Sequence, residues 1–242
     1  IRERGFSAVP VCAAKGLELG TLKRMSEVLA EALGDPAPVA FTGPSHAEEV
    51  AVGIPTSIVA ACVDESRAKA VQVLCATPRL RVYTNDDVVG CEYGGALKNV
   101  MALAAGVVDG LELGHNARAA LITRGLAEMI RLGVAMGADP RTFYGLSGVG
   151  DLILTCTGPL SRNHSVGVRL GKGERLEEIL ASMQAVAEGV RTAKAALGLA
   201  QRCGVDMPIV QEVNAVLFAD KSCRRAVGDL MEREAKGEKT PS

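Results

Sequence analysis

VYTNDDVVGCEYGGALKNVMALAAGVVDGL, residues 82–111, is the stretch on which the fold turns. It opens at the end of a predicted strand, Leu80 to Thr84, and runs on as a predicted helix, Val88 to Leu111. Before it, strand and helix signals alternate. After it come helix patterns alone, joined by glycine-rich connections. The change near residue 86 predicts an α/β part over residues 1–86, followed by an all-α part over residues 87–242.

Inside the helix, GGALKNV (Gly94 to Val100) sets one lysine among small apolar residues. At helical spacing Lys98 shares a face with Cys91, Gly94, Gly95, Ala102 and Ala105. Small residues let another backbone approach closely, which predicts a partly desolvated lysine. Burial disfavours an ammonium and lowers its pKa, so Lys98 suits proton transfer. The plainer reading is a lysine snorkelling out of a packed helix. Asn99 beside it, and the polar motifs further on, weigh toward chemistry.

Upstream, Ala8–Ala14, Pro38–Thr42 and Thr56–Cys62 read as strands. Helices are predicted over Thr21–Leu33, from Ser45 through Val52, and over Asp64–Cys75. Ser45 is placed to cap the second of these, with Glu48 at the reciprocal position, and Asp64 to cap the third. This alternation implies a mostly parallel sheet. Downstream, Ala117–Met136, Leu176–Cys203, Ile209–Phe218 and Cys223–Arg233 read as helices. Asn116 is placed to cap the first. Within it, Arg124 and Glu128 stand one turn apart, an exposed pair worth about 0.3 kcal/mol. The tail from Glu234 is expected to fray.

The 242 residues are 48% hydrophobic, ample for a core. A net charge of −1 predicts no nucleic-acid partner. No apolar run reaches the ~18 uncharged residues that a membrane span requires. Seven scattered cysteines without a CxxC pair, and three histidines far apart, argue against a disulfide framework or metal site and favour a cytoplasmic location. The chain opens on Ile1, and a short charged stretch runs directly into a strand, which reads as a start in the middle of a fold.

Four polar patches carry candidate chemistry. Lys15 follows a predicted strand, and ligands of open α/β sheets bind beyond strand carboxyl ends; an ordinary solvated loop lysine is the alternative. GPSHAEE, Gly43 to Glu49, offers free N–H groups at a helix start. In GLSGVGDLILTCTGPLSRN, Gly145 to Asn163, three glycines precede Asp151, a candidate partner for a lysine. Its last residues, Ser161, Arg162 and Asn163, bring a hydroxyl, a fork of donors and an amide, a set suited to phosphate. A solvated turn and a flexible linker are the plain readings of that segment. Glu188-Gly189 reads equally as an ordinary helix residue and a tolerated glycine.

AAKGLE, FTGPSHAEEVA, the opening stretch, NARAALITRGLAEM, GLSGVGDLILTCTGPLSRN and AEGV run in this order from Val9 to about Pro208. Together they resemble the bacterial type of the NAD(P)-dependent glycerol-3-phosphate dehydrogenase family. The resemblance implies the C-terminal part of a Rossmann-like domain followed by a helical substrate domain. It implies interconversion of sn-glycerol 3-phosphate and dihydroxyacetone phosphate with NAD or NADP, in the supply of phospholipid precursors. Lys98 matches the family's acid/base, with Asp151 and Asn99 beside it. Lys15, Gly43, Ser45, Asp151, Thr155, Arg162 and Asn163 match substrate positions. Lys15, Ala47, Ser161, Arg162, Val186 and Glu188 match cofactor contacts. A homodimer is a candidate assembly.

The family's opening strand, GxGxxG turn and helix are absent from this sequence, which corresponds to a missing part on the order of 90 residues. The expectation is a truncated form whose residues alone hold a dinucleotide weakly. The determinant of NAD against NADP would lie in that part. Two alternatives stand beside this reading: a related hydroxy-acid dehydrogenase, and a catalytically incomplete fragment that only binds substrate or dimerises.

Overall fold

Four strands, β1 (Val11–Cys12), β2 (Val39–Thr42), β3 (Thr56–Ala61) and β4 (Leu80–Asn85), form one sheet in chain order. The computed structural model describes residues 8–183, 187–235 and 237–238. β1 and β2 pair parallel, as do β3 and β4, while β2 and β3 run antiparallel. The sheet is therefore mostly parallel with one reversal. Each parallel pair needs a crossover, supplied by α1 (Met25–Leu33) and α3 (Glu65–Cys75). The antiparallel pair is joined through the short α2 (Ala47–Ala51).

The pleat of β3 explains why its sequence is a continuous apolar run. Ile58, Ala60 and Cys62 point to one face and pack with Val39, Val82 and the α3 residues Ala68 and Val71. Val59 and Ala61 point to the other, against Val88 and Cys91. Asp64 caps α3 by accepting from the N–H groups of Ser66 and Arg67.

Three local expectations on this side are corrected. β1 covers two residues, not Ala8–Ala14. α1 starts at Met25, not Thr21, because Gly20 and Leu22 take left-handed backbone (φ 92° and 63°) while Leu17 bridges Arg24. Ser45 does not cap α2: the cap position is His46, and the Ser45 hydroxyl donates to the Gly43 carbonyl at 3.1 Å, staying in the turn.

The rest of the described chain is helical: α4 (Val88–Gly110), α5 (Gly114–Ala135), α6 (Asp151–Thr157), α7 (Arg162–Gly171), α8 (Leu176–Ala181), α9 (Glu188–Cys203), α10 (Pro208–Phe218) and α11 (Cys223–Met231). α4 is the axis, packed against α5, α6, α7, α9 and α10. Apolar on nearly every side, it is buried on nearly every side. Its crossing with α7 is set by glycines spaced four apart on both helices, Gly106 and Gly110 against Gly167 and Gly171. A Cβ on Gly106 would stand 2.1 Å from the His164 carbonyl oxygen, and one on Gly167 would stand 2.1 Å from that of Leu103. The backbones therefore touch, and α7 is held at one depth on α4.

Four helical expectations also change. α6 and α7 occupy the segment read as glycine-rich linker and turn; burial of Leu152, Cys156, Val166 and Leu170 makes them helices. α5 begins at Gly114, so Asn116 lies within its first turn and is not the cap. The single helix over Leu176–Cys203 is two, α8 ending at Ala181 and α9 beginning at Glu188. Glu128 is buried, not exposed beside Arg124: its carboxylate accepts the N–H groups of Ile209 (2.8 Å) and Val210 (3.3 Å), capping α10 from another helix. No helix of the described residues is long and apolar enough to cross a membrane.

Candidate functional site

Lys98 lies on the stretch of α4 that faces both the sheet and α6. It is buried because Gly94, one turn before it, admits the backbone of Ser147: a Cβ there would stand 2.3 Å from the Ser147 carbonyl oxygen. The Ser147 backbone belongs to the tight Leu146–Gly150 segment, which leads directly into α6 and delivers Asp151 at its first position, fully buried. Lys98 Nζ donates to Asp151 Oδ1. From the sheet side, Lys15 Nζ donates to Asp151 Oδ2 at 2.6 Å and to the Gly43 carbonyl at 2.9 Å. One carboxylate thus joins two ammoniums from opposite halves of the molecule.

Burial lowers the pKa of Lys98 from its ordinary value to about 8; the Lys15 charge pushes the same way and the Asp151 charge opposes both. Two cations on one anion leave the centre positive, which favours an anionic ligand. The nearby thiols of Cys91 and Cys156 are pushed up to about 12 by burial, so neither is a ready thiolate.

Around this centre the polar side chains hold one another. Thr155 Oγ1 donates to the Asp151 carbonyl at 2.6 Å, one turn on. Asn99 Nδ2 donates to Glu188 Oε2 at 3.4 Å. Asn163 Oδ1 accepts from the Gly189 N–H at 2.9 Å, tying the start of α7 to the start of α9. Ser161 caps α7 by accepting from the His164 N–H at 3.2 Å. Residues 87–228 match the family model described as NAD-dependent glycerol-3-phosphate dehydrogenase C-terminus, and residues 6–68 match its N-terminal counterpart.

The chain belongs to the NAD-dependent glycerol-3-phosphate dehydrogenase family. It is 57% identical over 234 residues to a glycerol-3-phosphate dehydrogenase [NAD(P)+] of Geobacter sulfurreducens, covering 96% of this chain and 70% of the relative. A relative of the same name from Geobacter metallireducens is 59% identical over 234 residues, covering 95% and 69%. The crystal structure of glycerol-3-phosphate dehydrogenase from Coxiella burnetii superposes with a TM-score of 0.90 at 39% identity, over 94% of this chain and 70% of that one.

Of the residues that the family resemblance singled out, Lys15, Gly43, Lys98, Asp151 and Thr155 meet in one hydrogen-bonded cluster. Ser45 joins it through the Gly43 carbonyl. Asn99 with Glu188, and Asn163 with Gly189, form two further links at the base of α9. Arg162 is exposed at the first position of α7, and Ala47 is exposed at the first of α2. Val186 lies outside the described residues. Sequence reasoning passed over Thr42, the last residue of β2, which is buried against α4 beside Lys15. Its signal was a hydroxyl on the final strand position before the Gly-Pro-Ser turn.

Proposed function

We propose that the Lys98–Asp151–Lys15 cluster is where the family's reaction occurs, the interconversion of glycerol 3-phosphate and dihydroxyacetone phosphate with NAD or NADP. The observation that carries this is one buried carboxylate shared by two lysines, one of them with its pKa brought down to about 8.

Reduction of the ketone places a hydride on carbon 2 and requires a proton on the forming alkoxide. The Lys98 ammonium donates it; in oxidation the neutral Lys98 amine removes it from the hydroxyl. Asp151 fixes the lysine's direction, and Asn99, held by Glu188, orders the next position on the helix. Lys15 supplies a second positive charge toward the polarised oxygen or the phosphate. Arg162 and the Asn163 amide group take the phosphate, so that binding energy distant from carbon 2 orients it.

The donor set fits a nicotinamide cofactor: the Glu188 carboxylate is exposed and matches a carboxamide N–H, while Lys15 and Arg162 match phosphate charge. Lys15, Ala47, Ser161, Arg162, Val186 and Glu188 would hold it, and when bound it supplies or accepts the hydride. We further assign residues 1–86 to the dinucleotide-binding domain and 87–242 to the helical catalytic domain; the end of the sheet at Asn85 and the start of α4 at Val88 support this division. A cytoplasmic location is consistent with seven free cysteines. A homodimer is our proposed assembly, since an apolar groove of about 550 Å³ runs between α4, α5, α10 and α11; light scattering would measure it.

Arg162→Lys tests the substrate class. A guanidinium pairs two N–H groups with two phosphate oxygens, and lysine offers a point charge. The KM for dihydroxyacetone phosphate should rise by roughly one to two decades, for a charge-assisted bond of about 1.5–3 kcal/mol. Turnover of unphosphorylated dihydroxyacetone should change far less. Equal losses on both substrates would reject Arg162 as the phosphate group's partner.

A further inference from the structure

Thr42 ends β2 and is 3% exposed, yet its Oγ1 has no hydrogen-bond partner among the described residues. It faces α4 at Gly95, where the missing side chain leaves space. A Cβ on Gly95 would stand 2.8 Å from Thr42 Oγ1 and 3.6 Å from the Cγ and Cδ of Lys15. Hydroxyl and lysine stem therefore both lie against α4 at Gly95, three residues before Lys98. The next residue, Gly43, gives its carbonyl to Lys15 Nζ.

A buried hydroxyl without a partner costs stability. Valine has the same β-branched shape, suits a strand equally and carries no such cost. The ligand-free protein thus gains nothing from oxygen at this position. The place is the carboxyl end of a strand, where ligands of α/β sheets bind. The stem of Lys15 lies against the same Gly95, and its ammonium rests on the Asp151 carboxylate and the Gly43 carbonyl.

We propose that Thr42 is a further substrate-binding residue, its hydroxyl donating to an oxygen of the bound phosphorylated ketose or polyol once Lys15 turns toward that ligand. The inference rests on the reading of the Lys98–Asp151–Lys15 cluster as the reaction site. It differs from that reading in assigning a role to a hydroxyl that has no hydrogen-bond partner among the described residues.

The test compares Thr42→Val and Thr42→Ser in the enzyme, reading KM and kcat for dihydroxyacetone phosphate and the melting temperature with and without that substrate. Thr42→Val should raise KM roughly tenfold. Its ligand-free melting temperature should be unchanged or higher, and the stabilisation by substrate should shrink. Thr42→Ser, which keeps the oxygen, should restore most of the KM. An unchanged KM in Thr42→Val overturns the proposal. So does a lower ligand-free melting temperature, or failure of that variant to fold, since either means that the hydroxyl already has a structural partner. Lys98→Ala, assayed alongside, separates the two claims: if it abolishes turnover while Thr42→Val is normal, only Thr42 loses its role; if it leaves turnover intact, the reading of the site falls.

Discussion

The two sides of the site are built differently. On the helical side, Lys98, Asn99, Asp151, Thr155 and Asn163 are all buried on helices, and most hold hydrogen bonds to one another or to a neighbouring helix start. On the sheet side, Lys15, Ser45 and Ala47 sit on turns or a helix start beyond β1 and β2 and are half-buried or exposed. The proton transfer proposed for Lys98 would demand one geometry, and close packing of α4 with α6 and α7 holds that side chain in one. The anion capture proposed for the sheet side would draw on side chains that stand at turns and reach solvent. Glycines on α4 and α7, where the two backbones touch, are therefore expected to resist substitution strongly.

Gly106→Ala presents the largest expected effect on stability. Its Cβ would stand 2.1 Å from a backbone oxygen of α7, so the helices must part. A cost of about 3 kcal/mol, or roughly 10 °C in melting temperature, is expected. Because α7 carries Arg162 and Asn163, substrate affinity should fall with it. Gly228→Ala on α11 is the counterpart: nothing lies within 4 Å of its added Cβ. It should stabilise the protein by about 0.5–1 kcal/mol. Similar melting temperatures for the two variants would break the claim that the α4–α7 contact fixes the site.

A smaller effect sharpens the comparison on the buried polar groups. Burial raises the pKa of Glu128 from its ordinary 4.5 to about 7, against the two N–H groups that it accepts. The folded protein therefore keeps a proton that the unfolded chain has released. This group's stabilising contribution is full below pH 4.5 and is lost as pH rises through about 7. Glu128→Gln should flatten that part of the pH dependence of unfolding measured by urea titration. Identical slopes in parent and variant would show that Glu128 does not titrate in this range.

The fold was legible where periodicity was strong. The strands β2 to β4 and the helices α3, α4, α10 and α11 fall where alternation or 3.6-residue spacing put them. α6 and α7 were not legible, because glycines at 145, 148, 150 and 158 read as linker and the force that makes them helices is burial against α4. The reversal between β2 and β3 left no mark in composition either. At the site, the small-residue face of α4 announced a desolvated Lys98. The pairing of Lys15 with Asp151, 136 residues apart, is a tertiary contact that no local pattern encodes. Glu128 looked like half of an exposed ion pair, because helical spacing alone does not say which face another helix start will cover.

The central claim is that Lys98, desolvated by α4 packing and aimed by Asp151, moves the proton. The pH profile of kcat/KM for glycerol 3-phosphate oxidation, taken in parent enzyme and Lys98→Ala, tests it most directly. Oxidation needs the neutral amine, so the parent's rate should rise with pH through an apparent pKa of about 8. Lys98→Ala should lose roughly 10²- to 10⁴-fold in rate, with the fold retained, and its residual activity should lack that step. Near-normal turnover in Lys98→Ala, or the same step near pH 8 in its residual activity, would contradict the account.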